Sequence, residues 1–258
     1  MGRRALGKAL LGALGLAVGA LAFSPEALAF GEEGAFHPRV LLTGTATWEG
    51  ARVTAPARWS YELMRRTSAP ARARPETVHA DDPELLSEPF VVWGGQVDPG
   101  PLSPRELSLL RQFLALGGTL LVDDFEPSSG AFGRGAKREL ERLLPDASPV
   151  VLGPDHVVYR SFYLLRRALG RVEGPAKLEA IVRGGLAQVI FSPLDLLGAL
   201  ARSPGGVESF DPQPGGEPQR EQAVRLAVNL AMYVLCSTYK DDQVHAPFLM
   251  RRRSRGQP

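Results

Sequence analysis

Apolar residues along the chain keep two different rhythms. Short unbroken runs at 39–44 (RVLLTG), 90–93, 119–122, 150–152, 178–182 and 187–191 have the length of buried strands, and most are closed by glycine or aspartate. Between them the period changes to 3.6. Residues 56–66 place Trp59, Leu63 and Met64 at helical spacing behind Thr54 as an N-cap. Ser103-Pro104-Arg105-Glu106 is a capping box with proline at the first helical position. It opens a helix whose Leu107, Leu110, Phe113 and Leu114 fall on one face before Gly117-Gly118 ends it. A further helix over 136–144 stops at Pro145. Residues 221–239 form a long one, with Ala223, Leu226, Ala227, Leu230, Met232, Tyr233 and Cys236 on a broad apolar face. Residues 202–218, rich in Gly and Pro and without period, read as an exposed loop. Buried-type strands alternating with helices imply an α/β fold, a single three-layer sandwich around a mainly parallel sheet. No internal repeat or second boundary divides it, so the domain is expected to fill 30–240, with 241–258 as a C-terminal tail.

The first 29 residues follow a different logic. Arg3, Arg4 and Lys8 precede an uncharged apolar stretch, 9–23, and then Ser24-Pro25-Glu26-Ala27-Leu28-Ala29. That order is a signal peptide, residues 1–29, with cleavage after Ala29. The apolar stretch falls short of the roughly 20 residues that span a bilayer, and Pro25 interrupts any helix continuing it. The chain is therefore expected to be periplasmic or otherwise extracytoplasmic, exported by the Sec route or, given the Arg3-Arg4 pair, by the twin-arginine route. Retention of the segment as an anchor is the alternative. Formal charge fits this picture: 30 basic and 28 acidic residues become 27 against 27 once the leader is set aside, which excludes a nucleic-acid binder working through bulk charge. The one cysteine, Cys236, makes neither an internal disulfide nor a cysteine-based zinc site.

Four segments occur in an order that carries a family resemblance. They are Gly117-Gly118-Thr119-Leu120-Leu121-Val122-Asp123-Asp124, the Asp155-His156 turn, Ile181-Val182-Arg183-Gly184-Gly185 continuing through Ile190-Phe191-Ser192-Pro193-Leu194-Asp195-Leu196, and Asn229-Leu230-Ala231-Met232-Tyr233. Together they resemble the bacterial domain-of-unknown-function family 4159, over about 36–239. The resemblance implies a flavodoxin-like sandwich of the class I glutamine amidotransferase type, and it implies no activity. Family members resemble companions of gene clusters for MoxR-type ATPases and von Willebrand A proteins, so an envelope protein partner is expected. The amidotransferase chemistry itself is absent from the residues. It needs an activated thiolate on a strand-to-helix turn with a His and a Glu, whereas Cys236 lies within a helix among Met232, Tyr233, Val234 and Leu235, where it reads as a small packed core residue.

Candidate ligand-site residues follow from strand ends, where open α/β sheets bind their ligands. Asp123 and Asp124 close one strand. Extended backbone turns adjacent side chains to opposite faces, so they do not form an acid-base pair. One of them is expected to cap the next turn or to accept from Ser128 or Ser129. Gly94 and Gly95 close the neighbouring strand and would offer amides to an anion, though neither G-x-G-x-x-G nor a Walker A pattern is present. His156, beside Asp155, is either a proton carrier or a structural turn residue. Trp48 is either a stacking platform or a lid on the core. Four histidines without metal-ligand spacing imply no metal, and nothing implies a cofactor.

The chain end offers a different candidate: Lys240, Asp241 and Asp242, then the apolar Phe248, then Arg251, Arg252 and Arg253. This order suits docking on a partner or, at most, peripheral contact with anionic lipid, and equally suits a helix stop followed by a plain tail. The leading reading is a non-catalytic binding or assembly module lacking the Cys-His-Glu triad. The rival is a hydrolase or glycan-processing enzyme of the related trehalose-utilisation-like branch, using Asp123 or Asp124, His156 and Trp48. Convergence of those side chains separates the two.

Overall fold

Strand β1 (Arg39–Leu42) lies second from one edge of a seven-stranded sheet, pairing in parallel with the edge strand β2 (Thr77–His79) on one side and β3 (Phe90–Gly95) on the other. The parallel set continues through β4 (Thr119–Asp124) to β7 (Leu186–Ser192). Then β6 (Glu179–Arg183) runs antiparallel to β7, and β5 (Val150–Val151) antiparallel to β6. The computed structural model describes residues 34–254, and of 238–254 the helical backbone alone. The signal peptide expected over 1–29 lies outside the described residues.

Helices cover both faces because the strands are apolar on both. Phe90, Val92, Leu121 and Ile190 enter a core beneath α1 (Ala55–Thr67), α4 (Leu196–Leu200) and α5 (Gly216–Ser254). Their neighbours Val91, Trp93, Leu120, Val122, Val189 and Phe191 enter a second core beneath α2 (Pro104–Ala115) and α3 (Ala131–Leu143). The α/β three-layer sandwich with a mostly parallel sheet is thus the fold. Its parallel strands lie in the order β2-β1-β3-β4-β7, the doubly wound order of flavodoxin-like sheets. Trp59 ties α1 to α5 through an Nε1–H donated to the Ala227 carbonyl at 2.7 Å, and its ring packs edge-on against Phe90.

Several boundaries differ from the sequence expectation, each for a physical reason. The capping box at Ser103 forms in full. Thr54, by contrast, stands at the N-cap of α1 without capping it, because its hydroxyl is engaged with the Arg202 backbone, donating to the carbonyl and accepting from the amide. Helix α3 begins at Ala131 rather than 136. Its first turns carry Gly133 and Gly135, poor helix formers kept where a Cβ would meet Asp124 Oδ2 at 2.8 Å or Asp98 Oδ1 at 2.6 Å. Helix α5 starts at Gly216 and its backbone continues to Ser254, past the end expected at Tyr239. The 202–218 segment is anchored instead of free. The Gln219 side-chain amide donates to the carbonyls of Gly170, Arg171 and Gln213, and Arg220 donates to those of Ala199 and Phe210.

Cys236 also departs from expectation: it is exposed. Met232, Leu235 and Cys236 lie at i, i+3 and i+4, on the stripe of α5 where burial gives way from half-buried to exposed. No described helix is long and apolar enough to cross a membrane.

Candidate functional site

The parallel register brings Gly94, Asp123 and Ser192 side by side at the carboxyl edge of β3, β4 and β7, with Gly95 opposite Asp124. Asp123 follows Leu121 onto the α1/α4/α5 face and is fully buried. Its carboxyl accepts from the Ser192 hydroxyl at 2.7 Å and from the amides of Leu196 and Leu197, the opening residues of α4, at 2.9 and 2.8 Å. Burial, and then the negative charge of Asp195, raise its pKa to about 7 against the pull of those donors. Asp124 follows Val122 onto the opposite face, where it accepts from the amides of Glu126 at 3.0 Å and Gly133 at 3.1 Å. The adjacent aspartates therefore serve two helices on two faces. The turn cap expected of this pair is present, with backbone amides and Ser192 as donors rather than Ser128 or Ser129. Those two serines bond to Glu126 instead.

Next to Asp123 lies a charge network that no local pattern announces. Asp195 takes a left-handed conformation, φ 50°, and caps α4 by accepting from the Gly198 amide at 3.0 Å. Arg52 grips the same carboxylate with two bonds, Nε to Oδ1 at 2.8 Å and Nη2 to Oδ2 at 2.7 Å, and Arg171 adds a third. The Arg52 guanidinium is sandwiched between the rings of Phe125 at 4.5 Å and Phe210 at 4.3 Å. Trp48 leans on the far side of this stack, 6.1 Å from Phe125. A fully buried carboxylate held by two guanidinium groups and a helix amide has no free lone pair directed at solvent; it pins three loops together.

The two glycines serve the same packing. A Cβ on Gly94 would stand 2.3 Å from the Phe125 ring, and one on Gly95 would stand 2.5 Å from Phe132. Both lie inside the β3–β4 ladder, and aromatic rings fill the space above them, so they do not form the open amide cradle expected of an anion site. Gly94→Ala is accordingly expected to destabilise the domain by about 1–3 kcal/mol, as overpacking does, measured by urea unfolding. The penalty should shrink in a Phe125→Leu background. An anion cradle would instead leave stability unchanged.

His156 stands apart from this edge. Its Nδ1 accepts from the Val158 amide at 3.3 Å, its ring lies 6.0 Å from Tyr233, and burial lowers its pKa. The Tyr233 hydroxyl accepts from the Ala187 amide at 2.7 Å, which puts this group at the opposite, amino end of β7. Asp155 faces outward against Arg160. Trp48, Gly94 and Asp123 thus share one face of the carboxyl edge, Gly95 and Asp124 the other face, and His156 the far end of the sheet. The side chains of Lys240, Asp241, Asp242, Phe248, Arg251, Arg252 and Arg253 lie outside the described residues. Among the described residues, no group of three or more His, Cys, Asp or Glu side chains is arranged to hold a metal ion.

On the α3 face the same edge opens into a cleft of about 260 Å³. Val122 and Phe191 form its floor, Pro127, Pro175 and Pro193 its walls, and Arg134, Lys137 and Lys177 its charged rim beside Glu179. The cleft sits where a doubly wound sheet carries its ligand, and Asp124, singled out at its strand end, lines it together with the strand residues Val122 and Phe191; the basic rim was not visible from periodicity. Arginine and lysine in an amphipathic helix read as solvent-facing until the topology sets them beside β7.

A family model described as a domain of unknown function, DUF4159, matches residues 39–235, from the first strand to the last well-packed turns of α5. The chain belongs to that family. No curated protein matches it.

Proposed function

We propose that this member of the DUF4159 family is an extracytoplasmic binding or assembly module without catalytic chemistry of its own, built on an amidotransferase-like scaffold. The observation that carries the reading is the employment of its carboxylates. Asp123, Asp124 and Asp195, the acidic groups at the edge where such sheets do chemistry, are each committed to backbone amides or guanidinium groups of the fold. A general base needs a lone pair within reach of a substrate proton; Asp195 has all four acceptor positions taken, Asp123 is fully buried with three donors on it, and Asp124 has each oxygen engaged by a backbone amide. The distance of His156 from that edge weighs against the hydrolase reading, which needs the two together. The doubly wound strand order supports the amidotransferase-like ancestry. Cys236, on a helix rather than a strand-to-helix turn, supports loss of the triad.

The partner we propose is an envelope protein, of the kind that accompanies MoxR-type ATPase and von Willebrand A systems, with the chain end as one docking element. The basic, apolar and A-x-A order of the first 29 residues supports export. The test is purification from the native envelope. Sequencing is expected to begin at Phe30, and mass spectrometry to find a stoichiometric protein partner that is lost when residues 246–258 are deleted. An intact Met1 in the cytoplasmic fraction would overturn the export half. A protein that runs alone from the envelope would overturn the assembly half.

A further inference from the structure

The cleft between α3 and the carboxyl ends of β4 and β7 combines two features that are independent of each other. Its floor is apolar and aromatic: Phe191, only 5% exposed as a residue, forms one surface with Val122, walled by three prolines. A volume of about 260 Å³ admits a ring or branched chain of several carbon atoms, against the ~150 Å³ of a cavity that takes up benzene.

The second feature is the charge of its rim. Lys137 pairs with Glu179 and lies 5.2 Å from the Phe191 ring centroid. Lys177 is spent on the Arg166 carbonyl and the Tyr159 ring. Asp124 has its charge met by the Gly133 amide in the first turn of α3. Arg134 is left: its Nη1 donates to the Ser129 carbonyl at 2.9 Å, and among the described residues it makes no contact ion pair, Asp98 acting on it only at longer range. A guanidinium so placed presents its remaining N–H groups in the planar fork that matches a carboxylate.

We propose that this cleft binds a small amphipathic monocarboxylate, its apolar body against Phe191 and Val122 and its carboxylate on Arg134. The inference rests on the reading of the domain as a binding module and names the ligand class of that module. Size excludes a polysaccharide chain from the cleft itself. The apolar floor disfavours a free inorganic anion, which gains nothing from burying Phe191. Charge disfavours an amine, since the lining carries three cations, Arg134, Lys137 and Lys177, against two carboxylates, Asp124 and Glu179.

Phenylacetate is the probe, titrated into the purified protein and followed by NMR, with phenylacetamide and inorganic phosphate as controls of equal concentration. Saturable shifts are expected at Arg134, Lys137 and Phe191 with phenylacetate. Weaker or no shifts are expected with either control. Arg134→Gln should weaken binding by about tenfold or more, the scale of one charge-assisted pair. Arg134→Lys should restore part of it, and Arg105→Gln, on α2, should leave it unchanged. Absence of shifts in the cleft, equal binding of phenylacetamide, or unchanged affinity in Arg134→Gln would each overturn the inference. Such a failure leaves the non-catalytic reading standing, since that reading falls only on turnover.

Discussion

Replacing Asp195 by alanine should remove about 3–5 kcal/mol of stability, the cost of breaking a buried ion pair from one side. Arg52 is 8% exposed and stacked between Phe125 and Phe210, so it does not swing out to recover water when its partner goes. Arg171 loses the same carboxylate, and the Gly198 amide at the start of α4 loses its cap. The left-handed backbone at φ 50° adds strain for alanine that aspartate and asparagine tolerate better. Asp195→Asn keeps the conformation and one acceptor oxygen, so it should lose less. Urea unfolding followed by circular dichroism measures both. An alanine variant within 1 kcal/mol of the parent would show that the Arg52–Asp195–Arg171 network holds nothing together.

Asp123→Ala should be comparably costly, about 3–5 kcal/mol, because three buried donors lose their acceptor at once and each orphaned group costs about 1–3 kcal/mol. The donors are the Ser192 hydroxyl and the amides of Leu196 and Leu197, so α4 should loosen first. The pH dependence carries an unusual sign. An unfolded aspartate titrates near 4, while in the fold this carboxyl is raised to about 7 by burial and by Asp195. Between those values the folded chain holds a proton that the unfolded chain has released. The contribution is fully present below pH 4 and is lost as pH rises through 7. Asp123→Asn cannot titrate, so unfolding free energies measured at pH 5 and pH 8 should differ less in the variant than in the parent. A parent that gains stability from this group over the same interval would contradict the assignment.

What the sequence made legible was local. The capping box at Ser103 and the apolar run ending in Asp123-Asp124 are patterns a few residues long, and both elements form where they are expected. The two-face placement of the aspartates follows from extended backbone alone. The rest depends on partners far apart in the chain. Arg52 and Asp195 are 143 residues apart, and no period connects them. Phe125 and Phe132 explain Gly94 and Gly95, but only after the sheet is assembled. Strand β2 has one buried residue in three, and α4 is apolar throughout, so neither shows a period to read. Gln219 and Arg220 turn an apparent free loop into an anchored one through two neighbouring side chains, which composition does not register.

The measurement that reaches the central claim most directly is turnover. The native envelope's small-molecule extract would be incubated with the purified protein, with its folded Asp123→Asn variant, and with no protein, and every component followed by mass spectrometry over time. Components should be retained in proportion to the protein added, and none converted. A component consumed many times over by the parent chain, and spared by the Asp123→Asn variant, would contradict this and make the carboxyl edge an active site.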